Sequence, residues 1–353
     1  MSQFFALKVH SITKETNDTV SVGFEIPIEL KNTFQFKAGQ YLTLSFSING
    51  KEERRAYSLC SSPSEVVLKV AVKEVANGLV STHINRHLKV GDVVNVMPPQ
   101  GNFILELTGS AKKYVAFAAG SGITPILSMA KTIVEKEPQS TFHILYSNKD
   151  ENNVIFKSAF DAHQGDTIKT TYIYSRQKTG NEHTEGRIDE NKARQLVSSL
   201  GLKDAHAFYL CGPEEMIINA KKGIESLGVS SDKVKFELFT TPVLMAQEAK
   251  SSATVGTFKG SAKVTVIYDD EEITFNLHTE GDSILDTAIK NGVDVPFSCK
   301  GAVCCTCKAK VTEGSATMDA NYALTDKEVE QGYILTCTSH PTSEHVIINY
   351  DEA

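Results

Sequence analysis

Apolar and polar positions alternate with a period of two early in the chain. Leu42, Leu44, Phe46 and Ile48 interleave with Thr43, Ser45 and Ser47, the pattern of a strand with one buried face. Residues 66–75 and 93–97 read as further strands, with few helical stripes between. This predicts a small antiparallel β-barrel over residues 1–109. Past Lys112 the pattern changes. Residues 114–119 form an unbroken apolar run, followed by Gly120-Ser121-Gly122-Ile123-Thr124-Pro125. Ile126, Met129, Ala130, Ile133 and Val134 then fall at helical spacing, with Thr124 expected as N-cap and Pro125 as the first helical residue. Strand candidates at 141–146, 169–174 and 207–210 alternate with helices at 193–200 and 214–227, which predicts a parallel α/β sheet over 110–242. Residues 243–257 lack periodicity and read as a linker. A third domain is expected over 258–353. It opens with a hairpin of 264–268 and 273–277 around Asp269-Asp270-Glu271-Glu272, then a helix over 284–290 that stops at Asn291-Gly292.

Two or three domains suit 353 residues. The net charge of −7 is uneven: residues 258–353 carry seven Lys and no Arg against 16 Asp and Glu, or −9, and the remainder sums to +2. That speaks against nucleic acid as a partner. The acidic C-terminal surface either steers docking onto a basic partner patch or serves solubility. Residues 1–25 lack a signal-peptide pattern, and the longest apolar stretch, 114–130, is broken by Gly120, Gly122 and Pro125. No membrane insertion is expected, and a cytoplasmic location is.

The strongest chemical signal is a cysteine array. Cys299, Cys304 and Cys307 stand as C-x4-C-x2-C, and Cys337 follows after 29 intervening residues. This is the plant-type spacing in which four thiolates hold a two-iron, two-sulfur cluster. Structural zinc prefers two close pairs of ligands, and disulfides suit secreted chains. Cys305 falls outside the spacing and reads as a packing residue. The flavin signal is subtler. Arg55-Ala56-Tyr57-Ser58 closes a barrel strand, and Gly78-Leu79-Val80-Ser81-Thr82 opens a helix-like segment. Tyr57 offers an aromatic face, Ser58 a polar clamp, and Arg55 with Gly78, Val80, Ser81 and Thr82 supplies donors for a pyrophosphate.

Taken in order, these segments resemble the ferredoxin–NADP reductase superfamily with a plant-type ferredoxin domain fused at the C-terminus. Cys211-Gly212-Pro213-Glu214-Glu215-Met216 strengthens the match, which covers nearly the full length. The resemblance implies FAD on the barrel, a nicotinamide nucleotide on the α/β domain, and an α+β β-grasp fold around the cluster. It implies that Tyr57, Ser58 and Cys211 border the reacting rings. Gly120, Gly122 and Thr124 belong to the nucleotide turn, and Cys211, Gly212 and Pro213 lie beside the nicotinamide; Cys211 also reads as a buried structural thiol. Gly120-Ser121-Gly122 departs from the full dinucleotide fingerprint, because Pro125 replaces the third glycine. Ser175 and Arg176 occupy the adenosine-ribose position, where a hydroxyl and a guanidinium suit the 2′-phosphate of NADPH better than NADH. Arg187 is a further candidate there. Glu237-Leu238-Phe239 resembles the family's Glu-x-aromatic segment, with Phe239 either stacking on the flavin or packing in the core.

The activity implied is an NAD(P)H-dependent oxidoreductase that splits a hydride into single electrons for an acceptor protein. That acceptor is expected to be a terminal oxygenase, first a di-iron enzyme acting on an aromatic acyl-CoA. A Rieske-type oxygenase or a hybrid-cluster protein is the alternative, and a redox-sensing iron–sulfur flavoprotein a remote one.

Overall fold

The computed structural model describes residues 4–240 and 258–353; the expected linker, 243–257, lies outside the described residues. Six antiparallel strands come first: β1 (Phe5–Thr16), β2 (Thr19–Glu25), β3 (Tyr41–Ile48), β4 (Lys51–Ser58), β5 (Val67–Lys73) and β6 (Val93–Val96). They pair in the order β4-β3-β6-β1-β2-β5. A bridge between Leu59 and Val70 joins the two edges into a barrel. Leu42, Leu44 and Phe46 fill its core, as their alternation predicts. The polar face of β3 is covered as well, with Thr43 and Ser45 both buried. Ser45 donates to Glu52 at 2.7 Å, Glu52 binds Arg54 at 2.8 Å, and Arg54 reaches Asp294 at 3.1 Å. The C-terminal module therefore covers a surface that alternation alone would leave to water.

Helix α1 (Leu79–Arg86) lies against the barrel. The next sheet is wholly parallel: β7 (Lys113–Ala119), β8 (Thr141–Asn148), β9 (Ile168–Tyr174), β10 (Ala207–Cys211) and β11 (Val234–Glu237), ordered β11-β10-β7-β8-β9. Helices α2 (Ile123–Lys136) and α3 (Lys157–Ala162) pack on one face, α4 (Glu190–Ser199) and α5 (Glu214–Glu225) on the other. The apolar run of β7 follows from this: Tyr114, Ala116 and Ala118 enter one core, Val115 and Phe117 the other. After β9 the chain returns to pair β10 on the opposite side of β7, which creates a switch point at the strand ends.

One helix boundary differs from expectation. Thr124 is not an N-cap. Gly120, at φ 54°, turns the chain directly into a single 3-10 turn over Gly120–Gly122, so α2 starts at Ile123 with Gly122 before it. The Thr124 hydroxyl donates back to Ser121 O at 3.0 Å. Pro125 sits third in the helix, still within the first turn where its missing N–H costs nothing.

The C-terminal module is a mixed sheet ordered β13-β12-β18-β14-β16, from β12 (Ser261–Tyr268), β13 (Glu271–His278), β14 (Lys308–Glu313), β16 (Tyr333–Leu335) and β18 (His345–Asn349). A small ladder of β15 (Ala316–Met318) and β17 (Ser339–Pro341) accompanies it, with α6 (Ile284–Lys290) and α7 (Asp326–Glu330). The β12–β13 turn is shorter than expected. Only Asp269 and Asp270 form it, at φ 57° and 60°, while Glu271 and Glu272 pair within the ladder.

Candidate functional site

The cysteine loop follows α6 and is shaped by two non-glycine residues in the left-handed region, Lys300 at φ 50° and Ala302 at φ 61°. This curl turns amides inward. Gly301 N–H donates to Cys299 Sγ at 3.3 Å, the Val303 amide adds to it, and the Ala302 amide donates to Cys337. The thiols form two hydrogen-bonded pairs, Cys299 with Cys304 and Cys307 with Cys337. Among the described residues, no three His, Cys, Asp or Glu side chains converge on one ion position. Two thiol pairs ringed by amides instead fit the donor set of two bridged irons, each taking two thiolates. Cys305 points elsewhere, its thiol donating to Ala323 O at 3.4 Å.

A cavity of about 260 Å³ abuts this loop, walled by Arg55, Ala56 and Ser58 of β4, by residues 237–240, and by Cys299, Val303 and Cys304. Ser58 Oγ donates to Glu237 Oε2 at 3.0 Å. Burial pushes the Glu237 carboxyl up to about 8, against the pull of the Ser58 bond and with a further push from Cys304. Tyr57 packs against the barrel core and is not part of this wall. Gly78 precedes α1, whose first turn has no side-chain cap. A Cβ at Gly78 would lie 2.4 Å from Val75 Cγ2 and 2.5 Å from Ser81 Oγ, so a side chain there would have to push both aside. The Ser81 hydroxyl is already engaged, accepting from Val75 N–H at 3.3 Å, and Val80 faces the barrel core. Thr82 N–H is also used, by Gly78 O at 3.2 Å. The Ser81 hydroxyl keeps its own proton, so donors left in this segment include that hydroxyl and the earlier amides of the first turn.

A larger cleft of about 700 Å³ opens at the switch point. Gly120 and Ser121 after β7, Gly212 and Pro213 after β10, Ser175 and Arg176 after β9, and Arg187 all line it. Gly122 and Thr124 do not. A Cβ on Gly122 would sit 2.1 Å from Cys211 O, so this glycine lets the two strand-end turns interlock. Cys211 is fully buried and lines neither cavity, and burial first, then Glu237, raises its thiol well above the usual range. Phe239, 41% exposed, borders both cavities and stands between them. Lys149 and Asn153 also line the cleft. Sequence reasoning passed over them, and over Glu237 as the partner of Ser58; the Glu-Leu-Phe segment carried the signal for the latter.

Residues 6–104 match the oxidoreductase FAD-binding domain family, residues 117–222 the oxidoreductase NAD-binding domain family, and residues 266–342 the 2Fe-2S iron-sulfur cluster binding domain family. The chain belongs to the modular ferredoxin–NADP reductase-like oxidoreductases that carry a fused 2Fe–2S domain, with FAD, a pyridine nucleotide and the cluster as cofactors. It is 34% identical to one of the subunits of 1,2-phenylacetyl-CoA epoxidase from Escherichia coli (strain K12), over 99% of both chains. It is 28% identical to the ferredoxin reductase component of 3-ketosteroid-9-alpha-monooxygenase from Rhodococcus rhodochrous, over 99% of this chain and 97% of that one. Among solved structures it resembles phthalate dioxygenase reductase, at 25% identity, TM-score 0.59 and 98% coverage of each chain. Electron transfer from pyridine nucleotide through flavin to an iron–sulfur centre is the activity these parts define. Among the described residues, no helix is long and apolar enough to cross a membrane.

Proposed function

We propose that this chain is the reductase component of an oxygenase, a di-iron epoxidase acting on phenylacetyl-CoA, and that NADPH is its hydride donor. The observation that carries the reading is the cavity shared by the flavin-motif strand and the cluster loop, where Arg55 and Ser58 face Cys299 and Cys304. A flavin held there is next to the metal-binding thiols, so no long tunnelling gap separates them. Full-length similarity to the epoxidase component supports the choice of partner.

Three modules, 1–109, 110–242 and 258–353, are joined by the linker 243–257 in this reading. Cys299 and Cys304 would hold one iron, Cys307 and Cys337 the other. Arg55, Tyr57 and Ser58 position the flavin ring and its phosphates, and within 78–82 the amides of residues 79–81 with the Ser81 and Thr82 hydroxyls receive the pyrophosphate. Gly120, Ser121, Gly212 and Pro213 floor the nucleotide cleft, with Gly122, Thr124 and Cys211 bracing the turns from behind. Arg176, Ser175 and Lys149 receive the 2′-phosphate. Phe239 covers the flavin face toward the cleft, and Glu237 holds a proton beside Ser58. FAD bound in this cavity would supply two-electron acceptance from a nicotinamide and one-electron delivery onward, with Arg55, Ser58 and Phe239 holding its ring.

Reconstitution with the purified di-iron epoxidase is the decisive experiment. NADPH oxidation matched by epoxide formation is the expected result. NADPH oxidation through flavin and cluster with no epoxide would overturn the partner while leaving the electron path intact. The relative from Rhodococcus rhodochrous favours a second reading, a reductase for a different oxygenase. Co-purification of such an oxygenase with this chain would distinguish it.

A further inference from the structure

A single buried hydroxyl ties the barrel to the cluster loop. Tyr41 opens β3, is 4% exposed, and walls the cavity that contains Arg55, Ser58 and Cys304. Its oxygen receives the Cys305 amide at 3.1 Å and lies 3.0 Å from Thr306 Oγ1. Cys305 and Thr306 are the two residues between Cys304 and Cys307. Thr306 in turn is a hydrogen-bond partner of Cys304. The Cys304 end fixes the direction of the chain: a ligand thiolate can only accept, so Thr306 gives its one proton to that sulfur and accepts the Tyr41 proton. The Tyr41 oxygen in turn accepts from the Cys305 amide.

We propose that Tyr41 is a positioning residue for the flavin-to-cluster step, because the chain Cys305 N–H to Tyr41 O–H to Thr306 O–H to Cys304 S exists only while the C-terminal module is docked and biases the cluster toward its reduced form. Reduction adds one negative charge, and a donor aimed at a ligand sulfur stabilises the more negative state. Linked donors in a dry site polarise one another, so the phenol strengthens what Thr306 gives to the sulfur. A tyrosine phenol is neutral at physiological pH, so Tyr41 has a proton to donate. Separation of the modules withdraws Tyr41, and the share of the bias that it adds through Thr306 goes with it. One contact thus favours electron acceptance when the cluster faces the flavin and electron release when it faces an acceptor. The quantity tuned is the sharing of one electron between flavin and cluster; no bond or proton changes hands. The inference rests on the assignment of Cys304 as a cluster ligand.

The test is an anaerobic reductive titration of the full-length holoprotein, reading the cluster by electron paramagnetic resonance and the flavin by absorbance. Tyr41→Phe and Thr306→Val are expected to shift the electron about three- to tenfold toward the flavin, tenfold being about 59 mV for one electron. Thr306→Ser keeps the hydroxyl and is expected to restore the wild-type partition. Hydrogen–deuterium exchange in the cluster-loop peptide is expected to accelerate in Tyr41→Phe, which reports on the lost bond independently of electrons. A partition unchanged in both Tyr41→Phe and Thr306→Val would overturn the proposal. If Tyr41→Phe does not assemble, the contrast between Thr306→Val and Thr306→Ser decides alone. A Cys304→Ala variant that kept the wild-type cluster spectrum would sink the ligand assignment instead, so the two failures are distinguishable.

Discussion

Ser58 and Glu237, 179 residues apart, meet at 3.0 Å where the barrel, the parallel sheet and the cysteine loop converge. The serine closes β4 and the glutamate closes β11, so two sheets built independently are joined by one hydrogen bond. Because burial lifts the carboxyl, Glu237 carries a proton at neutral pH.

Stability therefore depends on pH through Glu237. Its folded value, about 8, exceeds the 4.5 of a free glutamate, so the native state binds the extra proton between these values. The contribution is fully present below pH about 4.5 and is lost as pH rises through about 8. Glu237→Gln is expected to be more stable than wild type at pH 9, and the gap should narrow as pH falls below 8 and close toward pH 4.5. Melting temperatures across that range check it; parallel pH profiles would contradict it.

Glu137 behaves in the opposite sense. Though burial resists its ionisation, its carboxylate accepts from Ser140, from the Gly109 and Thr108 amides and from Tyr114, which together hold it below the usual range. Its stabilisation is present above pH about 4.5 and falls away as acid titrates the folded carboxyl. Glu137→Ala leaves buried donors at the junction of barrel and parallel sheet without an acceptor, and is expected to cost about 2–4 kcal/mol in urea unfolding.

Arg54 should act as the latch of the C-terminal module. It is 5% exposed, bonded to Asp294, and its guanidinium lies 4.3 Å from the centre of the Phe297 ring. Arg54→Ala is expected to loosen docking, since a buried cation and its ring contact vanish together. Small-angle scattering should report a larger radius of gyration; an unchanged profile would argue that Tyr41 and the apolar contacts suffice.

Discrimination between nicotinamide cofactors is expected to lie with Arg176. Loss of one charge-assisted contact to a phosphate is worth about 1.5–3 kcal/mol, so Arg176→Ala should raise KM for NADPH about 10- to 100-fold and leave KM for NADH nearly unchanged. Steady-state kinetics with both donors checks this.

Cys305→Ser should keep the visible spectrum of the cluster, because the Cys305 thiol is turned toward Ala323 O. Cys307→Ser should disturb it. Equal bleaching of both variants would mean that the loop holds its metal differently.

The elements legible in the sequence were those whose neighbours are close in the chain. The alternation at 42–48 located β3, the continuous run at 114–119 located β7, and the cysteine spacing located the loop. What stayed hidden depends on distant partners. Nothing local to Thr43 and Ser45 says that their face is covered, since Asp294 and Phe297 do the covering. Thr124 has the right chemistry for an N-cap, and the turn at Gly120 moved the helix start ahead of it. Gly122 was legible as part of a turn, but not the reason its side chain must be absent, which is the distant Cys211 O. Glu237 was legible only as part of a segment, because its unusual proton affinity comes from enclosure by three modules.

The interlock at Gly122 also divides the proposed nucleotide cleft into a part that tolerates redesign and a part that does not. The floor is dimensioned by main chain meeting main chain at 2.1 Å from a would-be methyl, so even alanine there would pry the two turns apart. The far wall, with Ser175, Arg176 and Lys149, is dimensioned by side chains at strand ends. A protein engineer wishing to change the cofactor would find that wall freely editable, and would have to inherit the floor unaltered.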